Sequence, residues 1–163
     1  MLDTVFGLPF HPLVVHATVV VVPTAAVAVA LSVLWPRFRR WAGWAPSALA
    51  VAAVVLTPLS TSSGESLEHQ IGGSSLIEDH SRLADMLLWW VLPLAVLAVL
   101  AYLLLTFRGG RPQQRSRPLV GVLVVASVLV AIGTLVQVVL IGHSGAKAAW
   151  HDAGAETAAV VLR

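Results

Sequence analysis

Residues 119–141 read LVGVLVVASVLVAIGTLVQVVLI, a stretch without one charged side chain. About 20 apolar residues in a helix cross the roughly 30 Å of hydrocarbon in a bilayer. The apolar positions run on without the alternation of a barrel strand, and in lipid an isolated segment must satisfy its own backbone. The stretch therefore reads as a transmembrane helix. Three others share its character: 13–35 and 41–63 carry no charge, and 83–107 carries only Asp85. Four spans predict an all-α membrane protein, a four-transmembrane-helix antiparallel bundle with both termini on the outer side. The whole chain, 1–163, is expected to form a single domain in which 142–163 is a tail beyond the fourth span.

Composition agrees. Of 163 residues, 58% are hydrophobic and 11% charged, against about 25% charged in a soluble domain. That excludes a disordered chain, a nucleic-acid binder and an ordinary soluble enzyme. No cysteine is present, which excludes disulfides, iron–sulfur clusters, thiol catalysis and c-type haem attachment. The first span is expected to stay in the mature protein: residues 1–12 contain no Lys or Arg, and the apolar run is longer than a signal core. Pro23, Pro58 and Pro93 interrupt three spans, and Gly121 and Gly133 lie in the fourth. These read as packing geometry. Most of the six Trp lie near predicted boundaries; Trp89 and Trp90 lie deeper and read as core packing.

Charge fixes an orientation. Arg37, Arg39 and Arg40 lie between spans one and two; Arg108, Arg111, Arg115 and Arg117 lie between spans three and four. Neither loop contains an acid. The positive-inside rule makes loops 36–40 and 108–117 cytoplasmic in a bacterial plasma membrane. All eight acids lie on the other side with Arg82, Lys147 and Arg163, a balance of +7 against −5 that gives the net +2. The pI near 9.9 thus reflects topology and attraction to lipid rather than nucleic acid.

The histidines His11, His16, His69, His80, His143 and His151 also fall on the acidic side. Antiparallel helices bring those ends together, so any acid–base, metal or haem chemistry belongs there. His16 lies about one turn inside span one, where an ionisable group is costly and marks a candidate site; the plainer reading is an interfacial His bonded to a backbone carbonyl. His11-Pro12 resembles a helix start. Glu65, Glu68 and His69 share one face if the helix of span two continues. Glu65, nearest the membrane, is the stronger candidate ligand; a solvated acidic helix end accounts for the other two. Glu78 and Asp79 suit a helix N-terminus, which leaves His80 unexplained. Asp85 is placed to pair with Arg82 or to orient an imidazole from behind. His143 stands in Gly142-His143-Ser144-Gly145, where the glycines suit a close approach by a helix or macrocycle, or a helix stop.

These motifs resemble a family. His11-Pro12-Leu13-Val14-Val15-His16, Ser63-Gly64-Glu65, His80, and the run 142–150 (GHSGAKAAW) are together similar to a bacterial membrane family catalogued as domain of unknown function 2231, in its actinobacterial style. The likeness runs from His11 to about Trp150. It implies a four-helix bundle and brings no established activity.

Three functions follow from the residues. The first is one b-type haem for electron transfer, with axial ligands from His16, His80 and His143, His11 beside them, and His16 with His143 as the preferred pair. Arg82 and the acids, Glu68 and Asp85 among them, would surround it. The second is a zinc, copper or iron site formed by His16, His80, His143 and Glu65. The third is an accessory subunit whose polar cluster is a hydrogen-bonded network. No catalytic motif is present, so any enzymatic role would be that of a redox subunit. The expected partners are membrane lipid and other subunits of a respiratory or redox complex, and no nucleic acid.

Overall fold

The computed structural model describes residues 4–5, 8–71, 75–107 and 117–161, with side chains over 12–66, 75–106 and 117–147 and at Trp150. A two-residue antiparallel pairing, Thr4–Val5 with Leu8–Pro9, precedes the first helix. The rest is helical: α1 (Phe10–Leu34), α2 (Pro36–Ala42), α3 (Ala45–Ile71), α4 (Ser75–Met86), α5 (Leu88–Ala101) with a π-helical turn Tyr102–Phe107, and α6 (Arg117–Val161). Among the described residues, four helical bodies are long and apolar enough to span a membrane: Pro12–Leu34, Ala45–Ser66, Ser75–Thr106 and Arg117–Lys147.

The spans form a square. α1 packs on α3 and α6, α5 packs on the same two, and α1 and α5 meet across the diagonal. The core is built from small side chains: Ala25, Ala26, Ala50, Ala53, Ala95, Ala98 and Ala131 interleave with Val22, Val29, Val91 and Leu94. Small residues let helix backbones approach closely, which lipid-embedded helices need because water does not drive them together. A second cluster, Val33, Ala101 and Leu123, closes the end that bears α2. Val19, Val20, Val27, Val51, Val55, Val96, Val122, Val125, Leu129, Ile132, Val136 and Val139 face outward. Helices apolar on every face belong in lipid.

The boundaries differ from expectation in four places. The second span starts at Ala45, because Trp41 and Ala42 belong to α2, which Gly43 ends in a left-handed turn at φ +56°. The third begins at Ser75: α4 and α5 join through Leu87, so His80 and Arg82 lie within the helix rather than before it. The fourth does not stop at Gly142 or Gly145, and α6 runs 45 residues to Val161. Glycine permits a C-terminal turn without imposing one, and α6 stays helical through Gly145, which packs beside His80. α1 also starts at Phe10, two residues before Pro12.

Buried hydroxyls mostly satisfy themselves on their own helix: Thr18 to the Val14 carbonyl, Thr57 to Ala53, Ser127 to Leu123 and Thr134 to Val130, each at 2.7–2.8 Å. Among the described buried polar residues, Ser47 and Gln137 reach between helices. Ser47 donates to the Ala98 carbonyl at 3.0 Å, and Gln137 Nε2 donates to the Leu83 carbonyl at 2.7 Å. The second has a structural cause. At the α4–α5 junction Leu87 N–H bonds Ala84 O, which frees the Leu83 carbonyl for Gln137. Gln137→Leu leaves that carbonyl without its partner. It should cost about 1–2 kcal/mol, read as a lower thermal midpoint in detergent; an unchanged midpoint would show that the carbonyl finds another donor.

Candidate functional site

The histidine-bearing end is assembled from the start of α1, the end of α3, α4 and the second half of α6. α4 lies against α6 and touches α3. His80 on α4 is half-buried, and its Nδ1 lies 2.9 Å from Ser144 Oγ on α6. Ser144 Oγ also bonds the Ile141 carbonyl at 2.9 Å. A hydroxyl has one proton, and the carbonyl can only accept. Ser144 therefore donates to Ile141 and accepts from His80, which places a proton on Nδ1 and leaves Nε2 as the free ring nitrogen. Gly145 makes room for this: a Cβ there would lie 3.0 Å from His80 Cε1 and 3.3 Å from Nδ1. Gly142, three residues earlier, borders open space, so of the two glycines only Gly145 serves the close approach.

His16 is exposed on α1, with its Nδ1 2.6 Å from the Pro12 carbonyl one turn earlier. A carbonyl accepts, so Nδ1 again carries the proton and Nε2 is free. This is the carbonyl-bonded arrangement that the sequence offers as the plainer account of His16. It also matches how ligating histidines are held, the far nitrogen being fixed by a hydrogen bond.

Residues 7–158 match the family model described as Predicted membrane protein (DUF2231). The chain belongs to this family. No curated protein and no solved structure matches it.

In this DUF2231 chain the remaining candidates are spread out. His143 is exposed on α6, next to Ser144. Glu65 is exposed on α3, Asp85 and Arg82 on α4. Ser144, not Asp85, is the partner observed at His80 Nδ1. α3 does continue as a helix through Glu68 and His69 to Ile71, but the side chains of His11, Glu68, His69 and His151 lie outside the described residues. Among the described residues no three His, Asp or Glu are grouped to hold a metal ion. The set His16, His80, His143 and Glu65 is thus not gathered into one coordination sphere.

Two contributors escape sequence reading. Gln137, the sole amide in an apolar span, carried a signal, since a polar side chain there needs a partner. Ser144 did not: serine is common at helix ends, and only the packing of α4 on α6 gives it a histidine.

Proposed function

We propose that this protein carries one b-type haem at its histidine-bearing end and passes electrons there. The observation that carries the reading is the pair of anchored imidazoles. His16 and His80 lie at the same end of the bundle, each with Nδ1–H held and Nε2 free. Such anchoring orients a ligand and raises its basicity. A haem iron takes four ligands from its macrocycle and needs only one or two imidazoles from the protein. A zinc site needs three or four protein ligands, and no such group lies among the described residues. His143 and His11 are further candidates for the second axial position. The alanine-filled centre of the bundle is close-packed, so the macrocycle would seat at the histidine end.

The same reading places the Arg-bearing segments 36–40 and 108–117 in the cytoplasm of a bacterium and the histidine end outside. One haem at one face does not carry electrons across about 30 Å of lipid. Its partners would be a quinone, an outer-face redox protein, or other subunits of a respiratory complex.

An optical spectrum of the detergent-purified protein from haem-replete cells, oxidised and then dithionite-reduced, tests this. The expected result is a Soret band with sharp reduced α and β bands, lost in His80→Ala and in His16→Ala and retained in His69→Ala. A colourless preparation overturns the haem reading and turns the question to elemental analysis for zinc, copper and iron. A second reading has its own observation: the His80–Ser144 bond joins α4 to α6 whether or not anything binds Nε2. A colourless, metal-free protein would leave that structural role.

A further inference from the structure

The opposite end of the bundle presents a different chemistry. α2 is the seven-residue turn PRFRRWA between the first two spans. Pro36 has no N–H, so the Ser32 carbonyl four residues earlier lacks its helical donor. Arg39 takes that place, its Nη1 lying 3.0 Å from Ser32 O. Burial first, and the neighbouring Arg40 second, pull the Arg39 pKa below its ordinary value, though a guanidinium stays charged in proteins. Arg39 is therefore committed to its own chain.

Arg37 and Arg40 are not. Both are exposed, and no acid occurs between Asp3 and Glu65 or between Asp85 and Asp152. The segments forming this end thus offer them no carboxylate. Around them stand three exposed indoles: Trp35 at 54%, Trp41 at 82% and Trp44 at 68%. Phe38 packs against Trp41, ring centroids 5.7 Å apart. Exposed Trp on a transmembrane protein sits at headgroup depth, and guanidinium groups bind phosphate oxygens through paired N–H donors.

We propose that the α2 turn is a binding surface for anionic phospholipid, with Arg37 and Arg40 holding the headgroup phosphate and Trp35, Trp41 and Trp44 seated among neighbouring lipids. Uncompensated charge beside a ring of interfacial aromatics commits the surface to lipid. Arg39 shapes the turn without joining in the binding. Arg117, exposed at the start of α6, adds charge to the loop side.

The test compares phosphatidylglycerol with phosphatidylcholine added to the intact protein in neutral detergent, followed by native mass spectrometry and thermal midpoint. Phosphatidylglycerol should bind more tightly. Arg37→Gln and Arg40→Gln should each weaken it about fivefold and leave the lipid-free midpoint unchanged. Arg39→Gln should lower the midpoint in both lipids and keep the preference. High salt should erase the preference in the unmodified protein, a readout that needs no variant. Equal binding of the two lipids, or an undiminished preference in Arg37→Gln/Arg40→Gln, overturns the proposal. Equal stabilisation by the same concentration of inorganic phosphate also overturns it, because the site would then bind free anions rather than a membrane.

Discussion

Gly133→Ala is expected to lower the thermal midpoint of the purified protein by roughly 2–10 °C, from about 1–3 kcal/mol of overpacking. The indole of Trp90 packs against α6 at Gly133, and a Cβ there would fall far inside contact distance of its ring carbons Cζ3, Cε3 and Cη2. The methyl and the ring cannot share that space. Alanine favours a helix over glycine by about 1 kcal/mol, which offsets part of the loss. Gly121→Ala supplies the contrast: its Cβ would meet nothing, so that substitution should be neutral or stabilising. The two changes add the same atom to the same helix, and only the neighbour differs. Trp90→Ala should then remove most of the cost of Gly133→Ala, a coupling that a double-mutant cycle isolates. If the Gly133 and Gly121 variants melt alike, Trp90 does not occupy that seat.

Gly145→Val should displace His80 altogether. Alanine already places a carbon 3.0 Å from Cε1, tighter than a relaxed contact, and valine adds two methyls to it. The imidazole must swing away from α6, and its 2.9 Å bond to Ser144 breaks. Nitrogen NMR of selectively labelled histidine reads this directly. The signal of an Nδ1-protonated His80 should be present in the unmodified protein and in Gly142→Ala, and should shift toward that of a freely exchanging imidazole in Gly145→Val. The cost in stability is smaller than at Gly133, about 1 kcal/mol, because a half-buried imidazole regains water. In a haem-loaded preparation the same variant should lose or shift the reduced bands. Retention of the Nδ1 signal in Gly145→Val would mean that Ser144 does not set the tautomer.

Much of this is legible in the sequence. Lipid removes most structural options, so four long uncharged runs suffice for four helices and a bundle. The partition of seven Arg from eight acids likewise separates two chemically distinct ends. The boundaries were less accessible. Trp41 reads as apolar span until Gly43 turns the chain, and His80 reads as a residue before a helix until α4 places it inside one. The glycines at 142 and 145 look alike in sequence, yet one borders open space and the other the imidazole of His80.

The sequence by itself determined the solvent of this protein, the number of its spans and the end at which its titratable groups gather. Those depend on transfer of side chains between water and lipid, which is additive along the chain. Only the tertiary structure decided that His80 meets Ser144, whereas the carbonyl bonded by His16 lies one turn back on its own helix. Hydrogen-bond geometry is set within a few tenths of an ångström by helix rotation and approach, and these follow from the alanine contacts of the core. That packing gave Ser144 to His80 and Gln137 to a carbonyl freed 54 residues away in the chain.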